Sequence, residues 1–380
     1  MLGRMLSADF PRSRPLAAIL LVALFALALA PFLFPGAQPL NVAAKICVFV
    51  LLAASYDLLL GYTGIVSFAH TMFFGIGGYG IAIALARLGP SWHAVALGTV
   101  AAVLVAGALA LVIGLFSLRV RAIFFAMITL AVATAFAVLA SQLSGFTGGE
   151  DGLSYRVPEI LRPSFRPFEG AAFGAFLTGR IITYYIVFFG ALAGFLVLLR
   201  IVNSPFGRVL QAIRENDFRA EALGYPVVVY RSIASVVSAV MAALAGVLLA
   251  LWLRYTGPDT TLSFAIMIDV LLMVVIGGMG TLYGAVIGAT LMIIAENYLQ
   301  AVLGQLGEAA AGIPIVSSLL SADRWLFWLG ILFVLSVYFF PTGIVGKLRA
   351  RAEARVTHRP DRPGRSQSSP ASARVKSGGS

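Results

Sequence analysis

Stretches of about 20 apolar residues recur along almost the whole chain, and they leave few folds open. A run of that length is what an α-helix needs to cross the hydrocarbon core of a bilayer. Water is absent there, so a spanning segment must satisfy its backbone inside a helix or a closed barrel. The runs are continuous rather than alternating, which excludes the barrel. The composition agrees: of 380 residues, 60% are hydrophobic and 11% charged, against about 25% charged in soluble domains. The fold class is therefore all-α, a polytopic helical membrane protein. Candidate spans lie near 16–34, 40–60, 64–86, 92–118, 122–142, 180–200, 231–253, 262–277, 283–302 and 324–341, about ten transmembrane helices in all.

The net charge of +11 does not indicate nucleic acid, because of where it lies. With an N-terminus inside, nineteen of the 27 basic residues fall on the cytoplasmic side and eight outside, as the positive-inside tendency requires. Residues 1–15 form a cytoplasmic N-terminus, 16–346 the transmembrane domain, and 347–380 a basic, polar, disordered cytoplasmic tail. Ala28-Leu29-Ala30 resembles a signal-peptidase site, but the run before it is long enough to remain as a first span. The single cysteine, Cys47, lies in an apolar run and excludes an intrachain disulfide. Neither His93 nor His358 stands at ligand spacing to His70, so no metal site is expected.

Three kinds of stretch interrupt the apolar pattern. Residues 203–231 carry charge on a helical period. Ser204 or Asn203 can cap a helix whose first turn contains Pro205, and Phe206, Val209, Leu210 and Ile213 form one apolar stripe. Asn216 or Asp217 can start a second short helix, which Gly224 ends. This amphipathic hairpin is either a docking surface or a solvated loop. Glycine-rich stretches at 61–80 and 277–289 are candidates for interrupted or re-entrant helices. Their break positions are Gly61, Gly64, Gly77, Gly78, Gly277, Gly278, Gly280 and Gly284, and close helix packing is the alternative. The largest outer segment, 143–179, contains Thr-Gly-Gly-Glu-Asp-Gly-Leu at 147–153 and could meet an external partner.

Ionisable and polar groups inside apolar runs are functional candidates, because lipid penalises them. Asp57, His70, Asp269 and Glu296 are such groups, with Asp269 expected to be the best buried. The chain has no phosphate-binding loop and no nucleophile–base motif. It is not expected to be an enzyme or to hold a cofactor, so energy for transport must come from an ion gradient or another subunit.

Several stretches together resemble one family, the LivM-type permease subunits of ATP-binding-cassette importers for branched-chain amino acids. They are Asp57-Leu-Leu-Leu-Gly-Tyr-Thr-Gly with Ser67, His70 and Phe73-Phe-Gly-Ile-Gly-Gly-Tyr79; the 147–153 motif; Ser204-Pro-Phe-Gly-Arg with Ala212-Ile-Arg-Glu-Asn and Ala222-Leu-Gly; Leu272 to Gly284; and Phe340-Pro-Thr-Gly-Ile. They cover most of 40–346 in the family's order, and the 147–153 motif favours LivM over its LivH-type sibling. The resemblance implies an inner-membrane subunit with both termini cytoplasmic, working by ATP-driven alternating access. Its implied partners are a LivH-type permease, two cytoplasmic ATPase subunits that bind the ATP, and a periplasmic binding protein. It implies that 203–231 is the coupling loop, with Pro205, Phe206, Arg208, Leu210, Ala212, Ile213, Arg214, Glu215, Asn216, Glu221, Ala222 and Gly224 as ATPase-coupling residues, the stripe of Phe206, Leu210 and Ile213 packing on the ATPase groove or on its own bundle. Asp57, Ser67, His70, Tyr79, Asp269 and Glu296 become candidates for the path or the polar interior. The chain departs from the family in three places: Asp57 stands where Asn is common, only Glu221 to Gly224 match the general coupling motif, and the tail after Ala350 has no counterpart. Importers of urea or another small carboxylate or amide, and a proton-coupled carrier using the interior acids and His70, remain alternatives.

Overall fold

The computed structural model describes residues 14–33, 36–117, 122–165, 171–172, 175–176, 178–309, 321–339 and 343–346. The expected tails, and Phe340-Pro341-Thr342, lie outside the described residues. The main helices are α1 (Arg14–Ala28), α2 (Ala37–Thr63), α3 (His70–Leu88), α4 (Trp92–Ser117), α5 (Ala122–Gln142), α6 (Gly179–Val202), α7 (Pro205–Glu215), α8 (Asp217–Ala222), α9 (Val227–Leu253), α10 (Phe264–Gly277), α11 (Leu282–Ala309) and α12 (Trp325–Phe339). Eight helical segments among the described residues are long and apolar enough to cross a bilayer, and shorter apolar helices run at Leu16–Ala28 and Trp325–Leu335. The chain is an all-α, multi-pass membrane protein. Its strands are two-residue pairs, Leu153–Ser154 with Tyr255–Thr256 and Ala171–Ala172 with Ala175–Phe176.

The helices form a bundle around α2. Of the most apolar window of α2, 89% is buried, against 28% for α4 and 22% for α5. So α2 is an inner helix, while α4 and α5 present Leu104, Phe116, Ile123 and Met127 outward, away from the bundle. Helix α9 packs against α2, α3, α4 and α6. Small residues make that arrangement possible. A Cβ on Gly77 would overlap the carbonyl of Ala243, and one on Gly246 would overlap the carbonyl of Phe74. The α3 and α9 backbones therefore touch directly. Gly80 and Gly98 do the same for α3 and α4.

The span expected at 64–86 begins late. Helix α2 ends at Gly64, which has φ +73°, and α3 starts only at His70. Between them the backbone is held piecewise. Ile65 N donates to the Leu59 carbonyl at 3.2 Å, Phe68 N to Thr129 Oγ1 at 3.1 Å, and Ala69 N to Ser67 Oγ at 3.3 Å. His70 packs beside Ser55 through Ser238. Ser55 lies two helical turns above the end of α2, roughly 12 Å at 1.5 Å per residue. The chain therefore climbs back along α2 before becoming helical again. The second interruption, 278–281, separates α10 from α11.

The tight α3–α9 crossing gives a direct test. Gly77→Val should destabilise the bundle by about 1–3 kcal/mol or more, as overpacking does. Gly145→Ala, whose added methyl meets nothing within 4 Å, should be close to neutral. Thermal unfolding of purified protein in detergent measures both, and equal midpoints would refute the crossing.

Candidate functional site

The hairpin forms as its caps require. Ser204 Oγ accepts from Gly207 N, Pro205 opens α7, and Asn216 accepts from Arg219 N at 2.8 Å to start α8. Gly224, at φ +89°, turns the chain toward α9. The apolar stripe faces the bundle. Leu210 and Ile213 are fully buried, and Phe206 stacks on Tyr230 of α9 at 5.7 Å. Arg231 at the start of α9 reaches Asp217 at 3.8 Å. Of the two surfaces open to Phe206, Leu210 and Ile213, a partner's groove or their own bundle, the structure shows the bundle: they fix the hairpin to its own spans. The opposite face carries Arg208, Ala212, Glu215, Asn216, Glu221 and Ala222, all exposed. Phe218 is 81% exposed and Leu223 73% exposed on the same surface. Sequence periodicity missed these two, which lie off the α7 stripe; apolar residues inside a charged hairpin were the available signal. Pro205, Arg208, Ala212, Glu215, Arg219 and Leu223 line a groove of about 680 Å³ on this face.

The hairpin also reaches inward. Arg214 Nη1 donates to the Gly61 carbonyl near the end of α2, and the same guanidinium lies against Gly280. Gly280 N in turn donates to Asp57 Oδ1 at 2.8 Å. The two glycine-rich stretches, more than 200 residues apart, thus meet at one junction. A Cβ on Gly61 would overlap Asp57 Oδ1 and Gly280 N, so glycine is required for the contact. Among the expected break positions, Gly64, Gly278 and Gly280 have positive φ and lie at interruptions. The others are corrected: Gly61, Gly77, Gly78 and Gly284 lie inside helices, and Gly277 is the last residue of α10. They admit neighbouring atoms rather than break the helix. Gly343 packs on Gly278.

The interior polar residues separate into groups. Asp57 and His70 are almost fully buried, at 0% and 1% exposure. His70 Nε2 lies 2.8 Å from Ser238 Oγ, whose own proton goes to the Ser55 carbonyl. Ser238 can then only accept, so His70 is the Nε2–H tautomer and its Nδ1 faces no described donor. The Tyr56 ring packs edge-on against His70 at 4.9 Å. Ser67 is spent on the 64–69 climb, and Tyr79 is buried with its hydroxyl unmatched. Asp269 is only half-buried, which corrects its ranking as the best buried acid. Sequence depth along a span says nothing about which way the residue faces. Glu296 of α11 lies within electrostatic reach of Asp269 on α10 and of Lys45 on α2.

At the end of the bundle away from the hairpin, the 147–153 motif folds into a knot. Gly148, Gly149 and Gly152 all have positive φ. Thr147 Oγ1 lies 2.5 Å from the Ala140 carbonyl, and Gly152 sits so close to Thr256 and Gly257 that a side chain would not fit. Tyr155 reaches the Ala250 carbonyl at 2.9 Å and Thr256 Oγ1 at 3.1 Å. The motif thereby ties the end of α5 to the end of α9.

The buried relay makes its own prediction. Ser238→Ala strands the His70 Nε2–H, while the Ser55 carbonyl keeps its helical bond. It should cost about 1–3 kcal/mol per unsatisfied group, seen as a lower thermal midpoint, and a midpoint equal to the parent's would remove the relay.

Comparison with known proteins follows this geometry. A family model described as "Branched-chain amino acid transport system / permease component" matches residues 38–337. The high-affinity branched-chain amino acid transport system permease protein LivM of Salmonella typhimurium is 26% identical over 74% of this chain and 68% of its own length. The probable LivM of Methanocaldococcus jannaschii is 28% identical, over 74% of this chain and 80% of its own. The permease protein LivH of Escherichia coli K12 is 28% identical, over 67% and 82%. No solved structure matches the chain. With the family model running from α2 to α12, the chain belongs to the permease components of branched-chain amino acid transport systems.

Proposed function

We propose that this chain is the membrane permease subunit of an ATP-binding-cassette importer. It forms half of a pathway for branched-chain or related amino acids across the bacterial inner membrane, with both termini cytoplasmic. A LivH-type permease supplies the other half; likeness to both LivM and LivH relatives supports a pair of related subunits. Two ATPase subunits bind and hydrolyse ATP below the hairpin, and a periplasmic binding protein delivers substrate at the knot end. The chain itself holds no cofactor. Urea or a small carboxylate or amide is the alternative cargo.

The observation that carries this proposal is the path from the hairpin surface to the junction. The exposed face of α7 and α8 offers Phe218 and Leu223 as apolar anchors and Arg208, Glu215 and Arg219 as charges that set register. The buried stripe makes the hairpin move with its spans. Arg214 then connects it to Gly61 and Gly280, at the ends of the helices that carry Asp57 and Asp269. A shift imposed on the hairpin would be felt first at these two interruptions. There the backbone is held by single contacts rather than by a helical ladder.

The complete complex in proteoliposomes tests this. Uptake should require ATP on the hairpin side. Arg214→Glu should reduce uptake roughly tenfold or more, as loss of a charge-assisted hydrogen bond and reversal of its charge predict, with the subunits still assembled. Normal uptake by that variant removes the coupling role, and uptake driven by a proton gradient alone removes the importer.

A further inference from the structure

A small cavity at the knot end, unrelated to the hairpin and its junction, holds two arginines. Asn41, Leu161, Arg180, Thr183, Trp252, Leu253 and Arg254 line about 180 Å³, room for about six waters at roughly 30 Å³ each. Arg180 is the second residue of α6, and Arg254 follows the last residue of α9. Arg180 donates to the Ala37 carbonyl at 3.1 Å and lies 5.5 Å from the Trp252 ring centre. Trp252 is fixed by its own bond to Asn41 Oδ1 at 2.7 Å. The Arg254 guanidinium has no hydrogen-bond acceptor among the described residues. The one ion pair among those residues is Arg231–Asp217, so no described carboxylate neutralises either arginine.

Two features make this arrangement costly unless something fills it. Arg254 is the one non-glycine residue with positive φ among those described, at φ 58° and ψ 23°. Glycine is the usual occupant of that helix-end conformation, which costs other residues roughly 1–2 kcal/mol. The backbone is pinned there: Arg254 N donates to the Ala250 carbonyl, and its own carbonyl accepts from Tyr155 N. An arginine kept in a glycine's place argues that its side chain is used. Arg180, for its part, stands at the positive end of the α6 dipole, where a cation is disfavoured and an anion welcome. Burial and the neighbouring Arg180 both press the Arg254 pKa down. An oxyanion between the two would reverse each penalty through charge-assisted bonds.

The level and surroundings of the cavity select the source of that anion. The start of α2, the start of α6 and the end of α9 all lie here, at the ends of apolar spans, which is the height of lipid headgroups. Helix α6 turns Phe189, Leu196 and Val197 outward, at 61%, 51% and 46% exposure, so its flank borders acyl chains. We propose that Arg180 and Arg254 form a phosphate-binding site for the headgroup of an anionic phospholipid, seated on Trp252 and Asn41 at the outer ends of α2, α6 and α9. This goes beyond the transport proposal and does not depend on it.

Native mass spectrometry of the full chain, with whatever subunits co-purify, tests this by titration with phosphatidylglycerol against phosphatidylcholine. The expected result is one preferentially retained phosphatidylglycerol per chain. Arg180→Gln with Arg254→Gln should weaken retention roughly tenfold or more, since each such bond is worth about 1.5–3 kcal/mol. Arg254→Gly guards against a folding artefact. Glycine suits the backbone, so this variant should unfold no earlier than the parent in detergent yet lose the lipid. Inorganic phosphate that binds with equal preference and depends on the same arginines supports the oxyanion site and makes the free anion its source. Unchanged lipid retention in the double variant overturns the proposal.

Discussion

A backbone polar group has no solvent to turn to inside a membrane, and this structure depends on how that constraint is met at two places where helices stop. After Gly64 and after Gly277 the helical ladder ends within the bundle, and each freed group must find a partner from elsewhere in the chain. Asp57 supplies the acceptor for Gly280 N, Arg214 the donor for the Gly61 carbonyl, and Thr129 the acceptor for Phe68 N. These are long-range bonds by necessity, since a helix end has already used its local partners. The requirement to satisfy the breaks thus joins α2, α5, α7 and the α10–α11 turn into one unit. The glycines around them permit the close approach that such bonds need.

The hairpin draws its meaning from this junction. Its stripe alone would make it a surface helix packed on its own protein, which is how Leu210 and Ile213 behave. Its other face alone would be a solvated loop with two exposed apolar residues. Arg214 projects from neither role. It leaves an exposed helix and ends at the backbone of two interruptions. A single side chain therefore relates a surface another protein could push to the least reinforced backbone in the bundle.

Much of the architecture was legible beforehand because lipid enforces it. Apolar length located the spans from α1 to α12, and capping residues located α7 and α8 to within a residue. The interruptions were legible only as regions. Glycine serves both for a break and for a close crossing, and the sequence of 61–80 does not say that Gly77 admits Ala243 while Gly64 ends a helix. Facing was hidden as well. The stripe of Phe206, Leu210 and Ile213 was visible, but its partner, the start of α9 and its neighbours, depends on tertiary packing. Asp269 appeared deeply placed from its position along a span, yet it is only half-buried, whereas Asp57, near a span end, is enclosed because the second interruption covers it. Arg180 and Arg254 looked like ordinary flanking charges, since nothing local reveals that residues 74 apart share a cavity.

The contact between α3 and α9 carries one more implication. Where Gly77 meets Ala243 and Gly246 meets Phe74, main chain lies on main chain with no side chain between. Side chains elsewhere can change rotamer and let helices slide; here nothing can yield. Separation would open a void that neither lipid nor water fills at once. The pair can still turn about the point of contact. Any motion of α3 relative to α9 that keeps this contact is therefore a rotation about the crossing, with displacement that grows with distance from it.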